Sequence, residues 1–130
     1  MQYFHDHGFA HQRLDVYRVA LELVQGVARL ARALPTGTAE LKDQLMRSAL
    51  ATVRHLAEGA NRVSPADRRA RFAVARGEVA EADATLETLG LLEVAPPAEV
   101  GALRDAAHRI GAMLGGLIRR ETQRLLAPPA

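Results

Sequence analysis

Apolar residues recur along most of this chain at alternating spacings of three and four, the signature of helices with one buried face. The first such stretch predicts a helix over 12–34, with Leu14, Tyr17, Leu21, Val24, Ala28 and Ala31 turned inward. The second predicts a helix over 39–62. One of its seams is Leu45, Ala49, Thr52, Leu56, Gly59 and Val63, and a second, Met46, Leu50, Val53, Ala57 and Ala60, lies beside it. The third covers 65–89, with Phe72, Ala75, Val79, Ala82, Leu86 and Leu89 inward; the fourth covers 97–126, with Val100, Leu103, Ala107, Ile110, Leu114 and Leu117 inward. Residues 1–11 read as a flexible polar arm and 127–130 as a frayed tail.

Breakers fall between these stretches. Pro35 and Gly37 end the first helix, and Pro96 and Pro97 precede the fourth. Ser64, Pro65 and Asp67 form a capped start for the third, with proline where its missing N–H costs nothing. Gly90 fits a left-handed cap, with Leu91 as its apolar closure. No run alternates with period two. The expected fold is all-α, a single-domain antiparallel up-down four-helix bundle. The double seam of the second helix is wider than one core face needs. Met46, Leu50 and Val53, joined by Met113 and Ile118, are therefore read as an oligomer interface, against the alternative of a wide core face.

Composition removes several functions. There is no cysteine, so neither disulfides nor thiolate metal sites can form. Aromatic residues make up 4% and tryptophan is absent, which disfavours base-stacking platforms. No stretch reaches the roughly 20 apolar residues of a membrane span, and the start lacks a signal core, so a cytoplasmic protein is expected. Catalytic patterns are also missing. Ser48 and Ser64 are the only serines, Gly115-Gly116 lacks a phosphate-loop lysine, and Glu81 and Asp83 cannot face one site from one helix. His5, His7 and His11, with Asp6, could hold a divalent ion, but they read better as a solvated arm. The expectation is no enzyme, no cofactor and no metal.

Charge is nearly balanced, with 17 basic and 15 acidic residues, too even to claim a nucleic-acid partner from bulk charge. Its distribution says more. Arg54, Arg62, Arg68, Arg69, Arg71 and Arg76, with His55, gather around the turn between the second and third helices. Three of them occupy the start of the third helix, where the macrodipole disfavours cations. Three readings compete: a phosphate backbone, an acidic patch on a neighbouring subunit, and capping of the second helix's free carbonyls. Under the first, replacing Arg68, Arg69 and Arg71 with alanine abolishes salt-sensitive RNA retention and leaves helicity intact. A polar line also runs through Arg47, Arg54, Glu58 and Arg62. It reads as a salt-bridge network reaching Arg76 or Glu81, or as a ligand-organising line.

Several of these residues carry a family resemblance. Phe9, Leu14, Val16, Tyr17 and Ala20, then Gln44, Arg47, Ser48 and Ala49, then Leu56, Ala57, Glu58, Gly59 and Arg62, and finally Arg71, Phe72, Ala75, Arg76, Gly77 and Glu81 stand in the order and spacing of a small bacterial family. The chain resembles the four helix bundle proteins first noticed as products of intervening sequences in 23S ribosomal RNA genes. The likeness spans roughly residues 9 to 120. Departures fall at Ala51, Thr52 and Val53, at His55, where asparagine is frequent, and at Glu78, where serine is frequent. The resemblance implies a ring-like homo-oligomer, with a pentamer as the expected form. It also implies a shape like that of the accessory protein of diversity-generating retroelements, which works with a reverse transcriptase and RNA.

Overall fold

The computed structural model describes residues 8–128. A 3-10 turn, Ala10–Arg13, leads into α1 (Asp15–Ala33), α2 (Ala39–Asn61), α3 (Pro65–Leu91) and α4 (Pro97–Leu126). There is no strand among the described residues, and no helix there is long and apolar enough to cross a membrane. Each helix packs on its chain neighbour, α4 also packs on α1, and the backbones of the diagonal pairs lie farther apart. Contacts such as Glu58–Arg71, Arg68–Glu121 and Asp83–Arg104 climb one helix as they descend the next, consistent with an antiparallel up-down arrangement.

The α3 seam is buried at all six expected positions. Its start is also as read: the Ser64 hydroxyl accepts from the Asp67 N–H at 3.1 Å, with Pro65 at the first position. Its end differs. Gly90 stays helical, and a Cβ there would meet Val100 at an ordinary 3.5 Å, so neither a left-handed turn nor a close approach requires glycine at this position. The left-handed residue is Glu93, at φ 58°. The Glu93 N–H donates to Gly90 and the Val94 N–H to Leu89, so that Val94, not the exposed Leu91, closes the cap. In the α1–α2 turn, Gly37 takes the left-handed conformation, at φ 97°.

In α1 the expected inward face is rotated by about one residue, or 100°. The buried line is Val16, Ala20, Leu23, Val27, Leu30 and Leu34, whereas of the expected line only Ala31 is buried; Leu21 is 44% exposed, and Leu14, Tyr17, Val24 and Ala28 are only half-buried. Both lines have heptad spacing; the one carrying more bulky aliphatics won the core. In α2 the first seam is buried through Gly59, but the helix stops at Asn61 and leaves Val63 exposed. The α2–α3 crossing is close at Gly59, where a Cβ would stand 2.8 Å from the Phe72 ring. Ser48 and Thr52 are buried there too, their hydroxyls satisfied by carbonyls one turn back in α2.

Part of the expected arm is docked. The Ala10 N–H donates to Asn61 Oδ1, and Asn61 Nδ2 lies 2.8 Å from His11 Nδ1. The His11 ring also meets Tyr17 edge-on, and desolvation pushes its imidazole pKa down from the ordinary value. His5, Asp6 and His7 lie outside the described residues, as do residues 129–130 of the tail.

Candidate functional site

The six arginines around the α2–α3 turn divide by what they touch. Arg68 points inward. Its Nε donates to Glu121 Oε1 at 2.9 Å, its Nη1 reaches the carbonyls of Ala60 at 3.0 Å and Arg62 at 3.3 Å, and its guanidinium lies over the Phe72 ring. It thus caps α2 and ties α3 to α4, which removes it from the surface set. Alanine at Arg68 would disturb the fold, so the triple replacement considered above would not leave the protein intact. Arg71 is half-exposed, its Nε 3.5 Å from Glu58. Arg54, Arg62 and Arg69 have no ion-pair partner among the described residues, and Arg54 and Arg62 are exposed. Arg76 has turned away from Glu58 toward α4.

The polar line assembles only in part. Glu58 bridges to Arg71 on α3 and lies 3.8 Å from His55 Nδ1, a buried nitrogen without a hydrogen-bond partner. Neither Arg62 nor Arg54 pairs with it, and Arg47 and Glu81 join no ion pair among the described residues. Glu58 is therefore an interhelical tether, and the network does not extend along α2.

Sequence reasoning missed Glu121. Its side chain is 0% exposed, held by Arg68 and by Arg124 Nη1 at 2.9 Å, with Arg120 at 4.0 Å. Burial pushes its carboxyl up, but the Arg68 and Arg124 guanidiniums outweigh that and hold it below the usual glutamate range. The signal was present, because Glu121 continues the α4 seam four residues beyond Leu117. A second α3–α4 network joins Asp83 to Arg104 at 2.9 Å and to His108 at 3.1 Å, with Glu87 3.4 Å from Arg104. Burial raises the Asp83 carboxyl, and its bonds to Arg104 and His108 bring it below its ordinary value.

These contacts put the end of α2, the start of α3 and the end of α4 at one end of the bundle. Arg54, Arg62, Arg69, Arg71, Arg119 and Arg120 gather there. Glu81, Asp83, Glu87, Glu93 and Glu99 collect toward the other end. The five expected interface residues do not share a face. Met46, Leu50 and Val53 lie on α2, with Leu50 46% exposed; Met113 lines a shallow pocket with Leu14, the residue before α1, and with Val16 of α1; Ile118 lines a groove between α3 and α4. Among the described residues no three His, Asp or Glu side chains group to hold a metal.

No curated protein matches the chain. A crystal structure of a protein of unknown function from the S23 ribosomal protein family of Bacteroides thetaiotaomicron is similar to it. The TM-score is 0.74 at 21% identity, over 80% of this chain and 95% of that one, a likeness that speaks for the fold alone. The model of the 23S rRNA-intervening sequence protein family matches residues 12–116, which takes in α1, α2, α3 and the first part of α4 but stops short of Arg119 and Arg120. This chain belongs to that family.

Proposed function

We propose that this chain is a non-enzymatic, cytoplasmic, homo-oligomeric bundle whose basic end contacts RNA. The observation that carries the reading is the segregation of charge. Cations without carboxylate partners crowd one end of a nearly neutral molecule, at the cost of an unfavourable α3 macrodipole. Arg54, Arg62 and Arg69 supply the contacts, with Arg71 recruited from its half-exposed bridge. Arginine forks suit phosphate oxygens. The name of the family, which refers to 23S rRNA, points the same way. One such patch is weak; a ring, with a pentamer as the expected form, repeats it and gains avidity without a pocket.

The exposed Leu21 and Leu50, with Met46 and Val53 beside them, are the surface we assign to self-association. The same face favours a second reading, a scaffold that binds a protein partner as a reverse-transcriptase accessory protein would. Salt separates the two. RNA affinity falls steeply between about 50 and 200 mM salt, whereas an apolar protein contact does not. The test is fluorescence anisotropy with a labelled RNA and the R54Q/R62Q/R69Q variant. Loss of salt-sensitive binding with unchanged circular dichroism supports RNA contact; unchanged binding rejects it.

A further inference from the structure

The basic end contains a feature that the turn cluster does not explain. On the outer side of the α3–α4 pair runs an open groove of about 800 Å³, with low walls of Ala73, Gly77, Ala80, Gly111 and Ala112. At its basic end two guanidiniums from different helices converge over Gly115. A Cβ placed on that glycine would lie 3.5 Å from Arg119 Nη1 and 4.0 Å from both Nε and Cζ of Arg76. Neither arginine has an ion-pair partner among the described residues. The carboxylate that lines the groove, Asp83, is already bonded to Arg104 and His108. Both arginines are exposed and could extend separately into water. Like charges repel, so an anion between the two guanidiniums would stabilise their convergence. Gly115 places no side chain between them.

We infer that Arg76 and Arg119 form a seat for a phosphate oxyanion above Gly115, and that its occupant is a phosphodiester of bound RNA. Arg76 approaches with Nε, Arg119 with Nη1, and each can donate to a separate phosphate oxygen. Arg69 stands two turns before Arg76 on the same line of α3, about 10 Å along the axis. A strand seated here can therefore continue toward the α2–α3 turn. The identity of the occupant rests on the RNA reading above; the seat itself rests on the two unpaired guanidiniums that meet over Gly115.

The experiment separates the two. The arginine Nε–Hε NMR signals of the full chain are followed during titration with inorganic phosphate, and separately with an oligouridylate ten-mer. The expected result is saturable movement of the Arg76 and Arg119 signals with both. R76Q and R119Q should each weaken phosphate binding about tenfold, the worth of one charge-assisted hydrogen bond. G115L, which keeps both charges and fills the seat, should do the same. Saturation with phosphate but none with the ten-mer keeps the seat and rejects RNA as its occupant. Saturation with the ten-mer that is unchanged in R119Q and G115L rejects the seat while leaving RNA contact by the turn cluster intact. Signals that move with neither ligand overturn the inference.

Discussion

Two of the carboxylates that join α3 to α4 are opposites in environment. Glu121 is fully enclosed and answered by Arg68 and Arg124; Asp83 retains 20% of its side-chain exposure and shares Arg104 and His108 with water. The lesson is that similar ion pairs are not equal supports. A buried charge that loses its partner must bear the whole desolvation cost, whereas a wet one is rescued by solvent.

Breaking the buried pair should therefore give the largest effect. R68A takes one of the two guanidiniums bonded to buried Glu121, leaving Arg124, and frees the carbonyls of Ala60 and Arg62, with an expected combined loss of about 3–5 kcal/mol in urea unfolding. R68M/E121L sharpens the point. With both charges gone it should recover most of that loss, keeping only the cost of the uncapped carbonyls, about 1–3 kcal/mol. A double variant as unstable as R68A would show that the capping, not the ion pair, holds this end.

Acid probes the same contrast. Both carboxyls sit below their ordinary values in the folded chain, so each contributes stability that is complete above the usual carboxylate pKa, about 4. Each contribution is lost as pH falls through the lowered folded value. Thermal melts between pH 6 and 2.5 should show a stability decline that is shallower in E121Q, and shallower by a smaller margin in D83N. D83N at neutral pH should cost no more than about 1 kcal/mol. At the bottom of the order, D15N breaks only the exposed Asp15–Arg18 pair and should leave the melting temperature within about 1 °C.

The same physics governs how far the chain could be read from its letters. The α3 seam and its Ser64 cap are set by local spacing, and both are in place. The α1 face was ambiguous because two apolar lines run one residue apart, and only packing against α2 and α4 chooses between them. Gly90 was misread because the helix runs on past it to Leu91, and the left-handed turn falls at Glu93 instead. At the basic end, spacing located the arginines but could not say which way they point. Arg68 turns inward because α4 brings Glu121 to meet it, and Arg119 meets Arg76 because the same helix lies beside α3 as the facing wall of the groove. Both are tertiary facts.

Glu121 also bears on how the bundle chooses its alignment. Leucine and alanine stripes repeated every seven residues tolerate sliding, since a shift of one heptad, about 10 Å, returns similar side chains to similar places. A carboxylate in such a stripe does not tolerate it. With α4 displaced by one repeat, Leu114 would face Arg68, and the carboxylate would lose Arg68 and keep only Arg124, which travels with it on α4. One acidic residue thus acts as a locating pin for two otherwise interchangeable cylinders.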